Sequence, residues 1–153
     1  MVRELSRRGG GDGSTADGTA AVLRELAGMG LPVDGTRLGD GSGLEATNAA
    51  TCALLASTVR IDEGAWDVRD WLAVAGRSGT LARRLVDTPL EGRVAGKTGS
   101  IKGVTGLTGF VDGRRRLSFA FLANGTFSDA DGRILQDRLV ALLAGYPGPQ
   151  PIP

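Results

Sequence analysis

Apolar positions recur at helical spacing early in the chain: Ala20, Val22, Leu23, Leu26 and Ala27 fall on one side of a segment that opens at Ser14 and stops near Gly28 and Gly30. Ser14, followed three residues later by Asp17, reads as a capping box for that helix. Residues 7–14 ahead of it, Arg-Arg-Gly-Gly-Gly-Asp-Gly-Ser, offer no core-forming side chain and predict a flexible lead-in. Gly39 to Gly43 predict a tight loop. A second apolar helix runs through Cys52, Leu54 and Leu55, with Asn48 or Thr51 as its cap. A third helical stretch carries Trp66, Val68, Trp71, Leu72 and Val74, and a short one covers Leu81–Leu85 after the glycine break at 76–79.

The pattern changes after Glu91-Gly92. Val94 to Ser100 predicts a short strand, and Gly103 to Asp112 carries Leu107, Phe110 and Val111 among glycines. Leu117 to Ala123 alternates in a way that suits a largely buried strand, and Asp112-Gly113 between the last two runs is a hairpin signal. Ser128 and Asp131 form a second capping box. It opens a helix with Ile134, Leu135, Leu139, Leu142 and Leu143 on one face, ended by Gly145 and Pro147. The class is therefore α+β, with helices packed on an antiparallel sheet. The boundaries are one domain over 1–146 and a Pro-rich, extended tail over 147–153. A sheet of three strands looks unfinished, because both outer strands are apolar and present open edges.

Composition narrows the chemistry. The 153 residues hold no His, which excludes Ser-His-Asp and Cys-His triads and any imidazole metal site. A single cysteine, Cys52, makes neither a disulfide nor a zinc site alone, and its surroundings read as packing. No cofactor and no metal are expected. With 18 basic against 17 acidic side chains and 5% aromatics, nothing marks a nucleic-acid partner. No apolar run approaches membrane-spanning length. The start, Met1-Val2-Arg3-Glu4-Leu5, lacks the apolar stretch of a signal peptide, so the chain as written reads as cytoplasmic. Glycine is the outlier, 25 of 153 or about 16%, roughly twice average usage. Trp66 and Trp71 read as helix packing, and the arginine run 114–116 as a solvated hairpin turn.

The segment with the most chemical character is Gly96-Lys97-Thr98-Gly99-Ser100. Lys97 is one of two lysines in a chain whose other cations are sixteen arginines. A lysine is a compact, titratable point charge, and small neighbours let a ligand approach the strand. A phosphate-binding loop fails here on spacing, since three residues separate Gly92 from Gly96 where four are needed. It fails also on context, since Ile101 to Phe110 reads as loop and strand where a helix should begin.

The segment has the form of the K-T-G motif of penicillin-recognising serine enzymes. Asp40-Gly41-Ser42-Gly43-Leu44 with Asn48 and Thr51, and Leu72 to Leu81 (Leu-Ala-Val-Ala-Gly-Arg-Ser-Gly-Thr-Leu), stand in the order and spacing of one family. So do Lys97 to Ser100, Gly103 to Leu107 and Ala123-Asn124-Gly125. Over about residues 18–143 the chain resembles D-alanyl-D-alanine carboxypeptidases of the penicillin-binding protein 4 type. The resemblance implies the C-terminal part of a serine β-lactamase/DD-peptidase-like fold, with three of the family's five strands. It implies an acyl-enzyme hydrolysis of peptidoglycan stem peptides ending in D-Ala-D-Ala, and β-lactams as further ligands. Lys97 would be catalytic, supplying positive charge at the site, while Thr98, Gly99 and Ser100 would bind substrate. Thr98 would meet the substrate carboxylate, Gly99 would keep the strand surface open, and the Ser100 N–H would be an oxyanion donor. Segment 77–81 reads as a structural turn at the border of that pocket.

Two departures accompany the resemblance. No serine has Lys at +3 or Asn at +2; Ser57 has Arg60 there, which is no base. Both motifs precede Asp40 in the family, as do two strands of its sheet, and Met1 falls just after the second motif. The family is exported to the cell envelope or periplasm. The expectation is a C-terminal portion, inactive alone, with open sheet edges free for self-association. The alternative is a non-catalytic remnant that binds peptidoglycan or a partner.

Overall fold

A computed structural model describes residues 1–61 and 68–148. Trp66 lies outside the described residues. The chain forms two compact units, Met1–Thr58 and Val59–Pro153.

In the first unit, helix α1 (Val2–Arg8) packs on α2 (Thr15–Gly28). The lead-in is thus partly helical, and the linking residues are tied down. Ser6 is buried; its hydroxyl donates to Asp17 Oδ2 at 2.6 Å and accepts the Gly13 N–H at 2.8 Å. This is why half of the expected capping box is diverted. Ser14 does accept the Asp17 N–H, but the Asp17 carboxylate turns to Ser6, and the Ser14 N–H goes to Asp12. Gly18 allows the helix crossing, since a Cβ there would stand 2.1 Å from the Val2 carbonyl oxygen.

Thr51 caps α3 (Cys52–Thr58) through the Leu54 N–H. Asn48 has a different role. With the Ser42 hydroxyl and the N–H groups of Gly43 and Leu44, its amide donates to Asp40, while its own oxygen accepts the Gly39 N–H. These donors hold the Asp40 carboxyl well below the usual range, the Ser42 hydroxyl most of all. Cys52 is exposed, contrary to the packing expected of it.

The second unit is built on an antiparallel sheet in the order β1-β2-β3-β4, with strands Ala73–Val74, Val94–Ile101, Val104–Asp112 and Arg116–Asn124. Three strands were expected; the fourth is the two-residue β1, which pairs with Ala95 and Gly96. It lies where the third helix was expected. That stretch is a 3₁₀ turn over Val68–Trp71 followed by β1, and Trp71 is 74% exposed. The short helix expected over Leu81–Leu85 is a 3₁₀ turn at Gly79–Leu81.

Helix α4 (Asp129–Ala144) starts on the complete Ser128–Asp131 capping box and covers one face of the sheet. Ala75, Leu81, Leu90, Val94, Leu107, Val111, Phe119 and Val140 form the core beneath it. The face that α4 buries runs through Gly132, Gln136 and Val140, whereas Ile134, Leu135 and Leu142 of the expected stripe are exposed. Gln136 is buried because its amide is satisfied. Nε2 donates to Thr105 Oγ1 at 2.6 Å, and Oε1 accepts from Arg84, which also pairs with Asp137 at 2.6 Å.

On the opposite face, Arg69 lies 5.1 Å from the Phe110 ring centroid and donates to Asp112 at 2.8 Å. Burial pushes the Asp112 carboxyl up, but hydrogen bonds and charge from Arg69 and Arg116 outweigh it and leave the carboxyl below its ordinary value of 3.8. Its stabilisation is therefore complete above the unfolded value and lost as pH falls through the folded one. Asp112→Asn should lower the neutral plateau of the thermal stability profile and flatten its acid limb below about pH 4, so that the two proteins converge in acid. Melting curves across pH 2–7 check this, and parallel acid limbs would refute it.

Candidate active site

Sheet geometry decides what Lys97 to Ser100 present. The Ala75 N–H donates to the Val94 carbonyl at 2.9 Å, so Val94 directs its backbone groups toward β1. In an antiparallel ladder the direction alternates, so Gly96, Thr98 and Ser100 direct theirs to the same side. β1 ends its pairing at Gly96, and among the described residues no strand faces Lys97–Ile101 there. The N–H of Ser100 and the N–H and carbonyl of Thr98 thus line an open edge. The expectation of an open outer edge for this strand holds beyond Gly96 and fails before it.

The side chains divide between the two faces of the sheet. Register pairs Thr98 with Leu107 and Ser100 with Thr105, which places both on the α4 face. There they line a pocket of about 180 Å³ with Gly99, Thr80, Arg84, Asp129, Arg133 and Gln136. Thr98 Oγ1 donates to Thr80 Oγ1 at 2.9 Å, and Ser100 Oγ donates to Asp129 Oδ1 at 3.2 Å. The pocket thus concentrates hydroxyls, with Arg133 on one wall and one carboxylate at the start of α4. Arg84 is committed to Asp137 and Gln136 and serves as frame.

Lys97 lies on the other face, opposite Thr108. Its side chain is exposed and folds to the edge, where Nζ donates to the Thr98 carbonyl at 2.7 Å. A Cβ built on Gly99 would meet nothing within 4 Å, so the space beside the strand is open on that face too. Of the four residues expected at the site, three line one pocket and the fourth puts its ammonium on the adjacent edge. Sequence reasoning placed Thr80 at the border but missed Asp129 and Arg133. The capping signal at Ser128 and Asp131 explained that helix start without them.

The fold built here, a K-T-G strand at a sheet edge backed by a long helix, is that of penicillin-recognising peptidases. It superposes with a TM-score of 0.77 and 28% identity on penicillin-binding protein 4 of Haemophilus influenzae in complex with a β-lactam, covering 87% of this chain and 34% of that one. The chain belongs to the D-Ala-D-Ala carboxypeptidase 3 (S13) family, which residues 1–146 match. It is 34% identical to a D-alanyl-D-alanine carboxypeptidase of an Actinomadura species, over 98% of this chain and 29% of that protein. It is also 34% identical to carboxypeptidase DacB of Mycolicibacterium smegmatis, over 94% of this chain and 33% of that protein. The chain thus spans about a third of the length of these relatives.

Proposed function

We propose that residues 1–146 are the part of a serine D-Ala-D-Ala carboxypeptidase that binds the peptide end of peptidoglycan stems. The reaction proceeds through an acyl-enzyme whose serine lies outside these 153 residues. The observation that carries this is the open edge at Lys97–Ser100, with outward backbone donors and a hydroxyl-lined pocket beside it. An extended peptide aligns on such an edge by main-chain hydrogen bonds, and its terminal carboxylate finds Thr98 and Ser100. Lys97 supplies the positive charge that orients the carboxylate and favours a deprotonated serine. The Ser100 N–H is one donor to the oxyanion. β-Lactams are ligands of the same edge, and the working enzyme belongs to the cell envelope.

No serine here has lysine at +3, so the 153 residues lack the nucleophile motif of this chemistry. Incubated with a fluorescent penicillin, the 153-residue polypeptide should take up no covalent label, whereas the native gene product, if heavier than 15.7 kDa by intact mass, should label stoichiometrically. Stoichiometric labelling of the short chain would overturn the assignment of the serine to another segment. A second reading, a non-catalytic partner-binding remnant, rests on the β4 edge, which no strand pairs on its outer side among the described residues. It predicts a native product of the short mass that is a folded, well-defined monomer or dimer.

A further inference from the structure

A second concavity lies at the other end of α4, away from Lys97–Ser100. It is a groove of about 580 Å³, the size of pockets that take small organic ligands. Leu85, Pro89 and Leu90 form one wall, and Ala141 and Ala144 of α4 form the other. The hairpin turn after β3 closes the end. There the Gly113 backbone presses on α4, since a Cβ would stand 2.1 Å from the Ala144 carbonyl oxygen, and the Arg114 N–H donates to that same oxygen. The floor is therefore fixed by backbone contacts and is not a loose crease.

Two cations stand on this apolar groove. Arg93 and Arg114 both line it, and Arg93 donates to the Gly113 carbonyl at 3.3 Å, which brings its guanidinium to the turn that carries Arg114. Among the described residues neither makes an ion pair. Glu91, two residues before Arg93, accepts the Asp87 N–H at 2.9 Å. Two lining arginines without an ion-pair partner suit a planar anion, which a guanidinium binds bidentately. The wall itself is held in an unfavourable backbone state. Leu85 and Asp87 have φ of 58° and 55°, the left-handed region that a leucine seldom adopts. Such strain persists where surroundings over-determine it and gathers at ligand clamps.

We propose that this groove is a binding site for a soluble amphiphilic carboxylate, its apolar body lying between Leu90 and Ala141 and its head group on Arg93 and Arg114. The site is independent of the carboxypeptidase reading, because it shares no residue with Lys97–Ser100 or the pocket beside them. The probe is decanoate below its micelle concentration, titrated into the 153-residue chain and followed by the backbone amide NMR shifts of Gly113 and Gly145. Saturable binding is expected, with decanol at least tenfold weaker, since a charge-assisted hydrogen bond is worth roughly a factor of ten or more. Arg93→Gln and Arg114→Gln should each weaken decanoate about tenfold, and Arg138→Gln, outside the groove, should leave it unchanged. Ala141→Trp, at an exposed helical position, should fill the groove and abolish binding. If that variant unfolds, the two arginine variants decide. Absence of saturable shifts, equal affinity for decanol, indifference to both arginine changes, or binding only to anionic phosphatidylglycerol vesicles would each overturn the proposal.

Discussion

Gly109→Val removes the cooperative unfolding transition of the second unit. Gly109 sits in the middle of β3, the strand that joins β2 to β4, and pairs with Gly96 on one side and Phe119 on the other. A Cβ at this position would stand 2.0 Å from the Ala95 carbonyl oxygen and 2.6 Å from the Gly96 Cα. Both are backbone atoms of the neighbouring strand, so no rotamer change relieves the overlap. Relief requires β2 and β3 to move apart, which breaks the ladder over the core residues Val94, Leu107 and Val111. Overpacking that side chains absorb costs about 1–3 kcal/mol. A clash that the backbone must absorb exceeds that range and consumes much of a total stability of about 5–15 kcal/mol. Gly99→Val is the matched control. It lies in the adjacent strand, its Cβ would meet nothing within 4 Å, and valine suits a strand better than glycine does. Circular-dichroism melts should show a cooperative transition for Gly99→Val and none for Gly109→Val. A wild-type transition in the latter would refute the close approach of β2 and β3.

That contrast shows what the sequence could and could not express. Strand alternation at Leu117–Ala123, the hairpin at Asp112-Gly113 and the capping box at Ser128 depend on neighbours a few residues apart, so they were legible. Glycines 96, 99 and 109 look alike in the sequence. Only the register tells that Gly109 is wedged against a backbone while Gly99 borders open space. The expected face of α4 erred for a related reason. Periodicity counts apolar residues and cannot foresee that Gln136 is buried because Thr105 and Arg84, thirty-one and fifty-two residues away, satisfy its amide. β1 was invisible because two residues carry no period, and it exists only because Val94–Gly96 offers it a partner. The site was legible as the K-T-G motif, which is local. Asp129 and Arg133 reach the pocket through the packing of α4 on the sheet, a long-range event without a signature.

Lys97→Ala, placed in a product that joins these residues to an S-x-x-K segment, should lower the rate of acylation by penicillin about 10²–10³-fold, the scale seen when a preorganised electrostatic contact to the reacting group is removed. The Lys97 side chain is exposed, and its ammonium is held on the β2 edge by the Thr98 carbonyl at 2.7 Å, beside the outward N–H of Ser100. Its face of the strand is open, with Gly99 next along it, so nothing in the fold depends on its stem. Stability should therefore shift by no more than about 0.5 kcal/mol, as for other exposed positions. A large loss of acylation with an unchanged melt separates a role in the chemistry from one in the sheet. Lys97→Arg keeps the charge but spreads it over a planar fork with a different reach, so it should restore only part of the rate. Thr98→Val tests the neighbour in another way. It deletes the hydroxyl that donates to Thr80 at 2.9 Å and would receive the substrate carboxylate, so it should raise KM for a D-Ala-D-Ala peptide more than it lowers kcat. Acylation of the Lys97→Ala product within threefold of wild type would remove Lys97 from the reaction and leave the edge as a binding surface alone.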